Sequence, residues 1–106
     1  MPQFLYCLRP VRPEMLAGGM TERETAAINR HFDYLKKLVA AGVVFMAGRT
    51  LNTGEQTFGL VVFAAASESE ARAVMLDDPA VQDGVMKAEL FPYRVALWSS
   101  KSPGTD

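Results

Sequence analysis

Residues 21–48 read TERETAAINRHFDYLKKLVAAGVVFMAG, and this stretch decides the fold. Thr21 followed three positions later by Glu24 is a capping-box pattern, in which a hydroxyl and a carboxylate each satisfy a free amide at a helix start. A helix therefore opens at Thr21. It is expected to run to about Ala41 and to stop at Gly42, which takes the left-handed conformation of a C-terminal cap without a Cβ clash. Lys36 and Lys37 near its end suit the helix dipole. Ile28, His31, Phe32, Leu35, Leu38 and Val39 recur at three- and four-residue spacing, so they are expected to form one inward stripe. Residues 43–48 follow at once as a short apolar strand rich in β-branched and aromatic side chains.

Working outward, residues 3–8 are apolar and aromatic and read as a first strand, with Pro10 and Pro13 opening a loop over 9–20 that ends loosely at Gly18-Gly19. After the second strand, residues 52–55 carry the Asn and Gly of a chain reversal, and residues 58–65 return as a third strand. Ser67 and Glu70 repeat the capping-box pattern and start a second helix to about Leu76. Asp78-Pro79 reads as the N-cap and first position of a short helix that Gly84 ends. A last strand spans about 87–98, with Pro92 marking an edge position because it cannot donate to a ladder. The order is β-α-β-β-α-(short α)-β, the split βαβ arrangement of ferredoxin-like α+β domains. We expect one domain over residues 1–98 and a loose tail over 99–106.

Strands with one wet face alternate apolar and polar residues, and these do not: residues 43–47 and 60–64 are apolar at both parities. Two helices cover one sheet face only. A second copy packed sheet to sheet is the simplest cover for the other, and a homodimer is expected; a well-buried sheet edge with the tail laid over the face is the alternative.

Composition narrows the function classes. Of 106 residues, 11 are Lys or Arg and 12 are Asp or Glu, for a net charge of −1, with no basic stripe of the kind nucleic acid requires. No run approaches the ~20 apolar residues of a membrane span, and no signal-peptide pattern opens the chain. A cytoplasmic setting is expected. The single cysteine, Cys7, has no disulfide partner and no metal-site spacing around it, so no metal is expected. It reads as a small apolar residue of the first strand. There is no phosphate-binding glycine loop and no serine nucleophile elbow.

His31, the only histidine, is the first candidate for chemistry, since an imidazole beside a carboxylate is a common proton acceptor near neutral pH. Asp78 is the second. As an N-cap it needs no further explanation, yet its other oxygen remains free to hold an imidazole. Arg9, Arg12 and Arg49 lie at strand ends or in the following loops, where anion-binding residues sit, and Arg49 follows the buried second strand directly. Tyr6, Tyr34 and Tyr93 carry hydroxyls but read as core aromatics.

The N-terminal strand with its Arg-Pro loop, then His31, Leu35, Leu38, Gly42 and Gly48, and finally Asp78-Pro79-Ala80-Val81 with Gly84, resemble the YCII-related family of small dimeric α+β-barrel proteins. That resemblance covers nearly the whole chain. It implies a His31–Asp78 pair in a cleft between helices and sheet, in an enzyme without metal or organic cofactor. Lyase-type chemistry on halogenated hydroxyquinones is attributed to one relative. Three readings stay open. The first is a cofactor-independent lyase, isomerase or dehydrohalogenase acting on a small metabolite, with His31 and Asp78 catalytic and Arg9 or Arg49 binding an anionic group. The second is a ligand-binding or accessory module of the same fold, without turnover. In the third, the pair only stabilises the junction of the two helices.

Overall fold

The computed structural model describes residues 1–104. Eight elements follow in order: β1 (Gln3–Pro10), a 3₁₀ turn (Pro13–Ala17), α1 (Glu22–Ala40), β2 (Val44–Arg49), β3 (Gly59–Ala64), α2 (Glu68–Leu76), α3 (Pro79–Gln82) and β4 (Met86–Tyr93). The sheet order is β2-β3-β1-β4 and every neighbouring pair is antiparallel. Each βαβ unit is thus split by a strand of the other, as the ferredoxin-like arrangement requires. β4 lies at an edge, where Pro92 leaves no interior ladder bond unmade.

Local chemistry explains the boundaries. Thr21 Oγ1 accepts from Glu24 N and the Glu24 carboxylate accepts from Thr21 N, so the capping box of α1 is complete. Gly42 follows the C-cap with φ 75°, inside the left-handed region that glycine reaches without strain. Ser67 caps α2 by accepting from Glu70 N, while the return bond from the Glu70 side chain is absent. Asp78 caps α3, with Pro79 in the first turn.

The inner sheet face carries Phe4, Tyr6 and Leu8 from β1 with Val61 and Phe63 from β3, all buried against Leu35 of α1 and Ala71 and Met75 of α2. Tyr6 meets Phe63 edge-on, with ring centroids 5.6 Å apart. A smaller cluster of Met15, Ala27 and Val85 closes one end.

Three expectations are corrected. Phe32 is 62% exposed and Val39 is also exposed, so the inward stripe of α1 is narrower than the periodicity suggested. The cause is that α1 packs sideways as well as down. Arg23 and Arg30 bond Asp83, His31 bonds Asp78 and Tyr34 Oη donates to the Val74 carbonyl, and together they turn the helix towards α2 and α3. The loop over 9–20 is built: β1 continues through Pro10, and Met15 of the 3₁₀ turn is buried. Arg12 ties this segment down, its guanidinium forking onto Glu24 at 3.0 and 2.6 Å and also reaching the Gly19 carbonyl. The last strand ends at Tyr93, and residues 94–104 form no helix or strand. Thr105 and Asp106, at the end of the expected tail, lie outside the described residues.

On the opposite sheet face, register places Leu5, Cys7, Leu60, Val62, Met46 and Phe91 together. The chain after β4 crosses one end of this face: Val95 N donates to Gln3 Oε1, and Trp98 packs on Phe45 with centroids 6.3 Å apart. Met46, Phe91 and Tyr93 nonetheless stay about half exposed, and Leu97 is 94% exposed. Among the described residues no helix is long and apolar enough to cross a membrane.

Candidate functional site

The site begins with a burial requirement. Tyr6 sits on the inner parity of a central strand, so its hydroxyl enters the core and must find a partner there. The N-cap of α3 supplies one. Asp78 is fully buried, and Tyr6 Oη donates to its Oδ2 at 2.7 Å. Asp78 Oδ1 accepts the capping bond from Ala80 N at 3.0 Å. α1 crosses the same point, and His31 Nδ1 lies 2.7 and 2.8 Å from the two carboxylate oxygens. The carboxylate is therefore an acceptor from three elements, β1, α3 and α1. Because a carboxylate has no proton to give, Nδ1 carries the hydrogen of this bond, which fixes the imidazole tautomer.

Nε2 is left over. Among the described residues it has no hydrogen-bond partner, and no buried side-chain nitrogen or oxygen lacks one, so Nε2 reaches solvent. The His31 side chain is 16% exposed. The arrangement is a ring held rigidly at one nitrogen and open at the other. Tyr6, whose phenol is pushed well above its ordinary range by burial and by the nearby Asp78 charge, stays a donor throughout the pH range of a folded protein. Tyr34, on the same helix as His31, is pushed up to about 12, chiefly by burial and then by Asp77 and Asp78.

The arginines separate. Arg49 pairs in register with Gly59, which faces Leu8, and the position a Gly59 Cβ would take lies 3.8 Å from both Arg49 Cβ and Leu8 Cβ. Arg49 thus starts on the inner face, two residues along β2 from Ala47, which shares the Tyr6 row. Strand spacing and rise put its Cα roughly 12 Å from that of Tyr6. It is exposed, with a weak bond to the Thr50 carbonyl. Arg9 has the other parity. It lies on the outer face with its guanidinium 5.5 Å from the centre of the Phe58 ring, and the structure does not bring it to His31. Two surface depressions are the best formed. One of about 510 Å³ is bordered by the chain start and residues 92–95, and one of about 240 Å³ by Cys7, Arg9 and residues 87–89. Neither is lined by His31 or Asp78. The imidazole opens directly to the surface instead. Among the described residues no three His, Cys, Asp or Glu side chains gather as a metal site.

Sequence reasoning passed over Tyr6. The signal that finds it is strand parity: a phenol on the buried side of a central strand needs a polar partner across the core.

Fold and site together define a small α+β domain of ferredoxin-like topology with a buried carboxylate holding the tautomer of a half-open imidazole. The chain belongs to the YCII-related domain family, whose family model matches residues 4–94. A search of the curated proteins finds no match. Among solved structures it is similar to the 5-chloro-2-hydroxyhydroquinone dehydrochlorinase of Burkholderia phenoliruptrix AC1100 in complex with 2,5-dihydroxybenzoquinone. The TM-score is 0.62 at 20% identity, over 86% of this chain and 93% of that one. That likeness establishes the fold.

Proposed function

We propose that this protein is a cofactor-independent enzyme of the lyase, isomerase or dehydrohalogenase type that moves a proton on a small hydroxylated aromatic or enolisable metabolite. The observation that carries the reading is the division of labour on one ring: Nδ1 is committed to a buried carboxylate, while Nε2 is free at the surface. Such a pair is a general base with a counter-charge behind it. His31 Nε2 takes a proton from an O–H or C–H bond of the substrate. The electron pair left behind forms a new π bond. In an isomerisation the proton returns at another atom; in a dehydrohalogenation the carbon–halogen pair departs with the halide, so that one proton and one halide leave together. Asp78 holds the ring and balances the imidazolium. Arg49, on the same sheet face, binds an anionic oxygen of the substrate. Arg9, on the other face, has no part in the same site.

The dehydrochlorinase named above supplies the first probes. Chlorinated hydroxyhydroquinones are offered to the protein, and chloride release and quinone absorbance are followed. Turnover is expected, and His31→Gln should abolish it while the fold survives. A folded His31→Gln variant with unchanged turnover overturns the reading. Bound probe recovered chemically intact, with affinity that depends on His31, identifies a binding module instead.

The working unit in this reading is a homodimer packed through the outer sheet face, supported by the half-exposed Met46, Phe91 and Tyr93 there.

A further inference from the structure

Tyr6 is fully buried, and it spends its hydroxyl on the one carboxylate that holds the imidazole. We propose that Tyr6 is a positioning residue: its hydroxyl fixes Asp78 against His31 Nδ1 and shares the carboxylate's charge, which keeps Nε2 turned outward and limits how strongly Asp78 draws on the Nδ1 hydrogen. The catalytic meaning of this role rests on the enzyme reading above; the electrostatic role does not.

The geometry gives the direction of the effect. His31 Nδ1 lies 2.7 Å from Asp78 Oδ1 and 2.8 Å from Oδ2, and the Tyr6 hydroxyl lies 2.7 Å from Oδ2, so the phenol shares one of the ring's two acceptor oxygens and draws on the charge of both. A donor on a carboxylate spreads its charge and weakens its pull on any other donor. Remove the phenol hydroxyl, and Asp78 draws more strongly on Nδ1–H and favours the imidazolium, which occupies Nε2 with a proton. Strengthen the phenol as a donor, and the pull on the ring weakens. A residue that merely fills space beneath Asp78 has neither effect. Of the nearby titratable groups, Tyr34 on α1 donates to the Val74 carbonyl and feels Asp77 and Asp78, while Arg30 is engaged by Asp83. None of them shares an Asp78 oxygen with Nδ1.

The chain has one histidine, so its imidazole nitrogen resonances need no assignment. The full chain is labelled with ¹⁵N-histidine and titrated by NMR, unaltered and as Tyr6→Phe. The His31 midpoint is expected to move to higher pH by about half a unit or more in Tyr6→Phe. Incorporation of 3-fluorotyrosine, a more acidic phenol of nearly the same shape, is expected to move the midpoint the other way. A Tyr34→Phe background confines the label to Tyr6 and the distant, exposed Tyr93. An unmoved midpoint in a folded Tyr6→Phe protein, or movement in one direction by both changes, overturns the proposal. If Tyr6→Phe does not fold, the fluorotyrosine protein decides: a downward shift supports the role, and none or an upward one overturns it. Persistence of turnover in His31→Gln sinks the enzyme reading and leaves this titration untouched, so the two failures are distinguishable.

Discussion

Replacing Asp78 by Ala removes the one acceptor on which β1, α1 and α3 converge. Three donors lose their partner: the Tyr6 hydroxyl, the Ala80 amide and His31 Nδ1. Loss of the N-cap bond costs about 1 kcal/mol. Stranding the Tyr6 hydroxyl in the core costs a further ~1–3 kcal/mol, because no water reaches it there. His31 is partly exposed and recovers some of its loss from solvent. The expected total is about 3–4 kcal/mol, a large part of the ~5–15 kcal/mol that holds a domain of this size together. At roughly 4–8 °C per kcal/mol the melting temperature falls by about 12–32 °C. Urea unfolding followed by circular dichroism measures this directly, with the midpoint moving and the slope unchanged if the native state is otherwise intact. A loss under ~1 kcal/mol with the slope preserved would show that the three donors find other partners, and the account of Asp78 as the junction of three elements would fail.

Acid stability depends on Glu24, whose carboxyl is held at about 2 by the Arg12 guanidinium and the Thr21 amide. A depressed carboxylate stabilises above its unfolded value near 4.5 and loses that contribution as pH falls towards 2, so Glu24→Gln should flatten the acid limb of a stability–pH curve measured by urea midpoint. Tyr34 acts at the other end: raised to about 12, it stabilises below pH 10 and loses that contribution as pH climbs through 12. Tyr34→Phe should soften the alkaline limb, only in part because Tyr6 titrates in the same direction, and lose about 1 kcal/mol at neutral pH with the Val74 bond. Phe91→Asp places a charge on the outer sheet face and should leave a folded monomer by sedimentation; a dimer of unaltered affinity would move the interface elsewhere.

How much of this was legible beforehand depends on the range of the interaction involved. Helix starts were readable because caps are local: Thr21 with Glu24, Ser67 with Glu70 and Asp78 with Ala80 close within two or three residues. The strand order followed from element order and connection rules. The width of the α1 stripe did not, because Phe32 and Val39 are left out by the way α1 leans on α2 and α3, elements that begin 29 or more residues further on. The same distance in sequence hides the site. His31 and Asp78 are 47 residues apart and Tyr6 and Asp78 are 72 apart, so their meeting rests on the resemblance of the whole chain and on strand parity, never on spacing. Arg9 and Arg49 looked equivalent as strand-end cations; one register step separates them onto opposite faces.

The convergence on Asp78 has a consequence for how this site evolves and how it is tested. A carboxylate that caps a helix is already desolvated, already oriented by a backbone amide, and in α3 it is set by the fixed φ of Pro79. Adding an imidazole to such a group demands little new structure: the helix that brings His31 need only cross at the right height. The Tyr6 hydroxyl then supplies the third bond that lets the charge stay buried. In the proposed function, structural and chemical roles are therefore superposed on Asp78 and separated on His31. Changing Asp78 disturbs folding and chemistry together and cannot tell them apart. Changing His31 to Gln removes the partly exposed ring and leaves Asp78 its buried bonds to Tyr6 and Ala80, which is why the test of the proposed function turns on that residue and not on its partner.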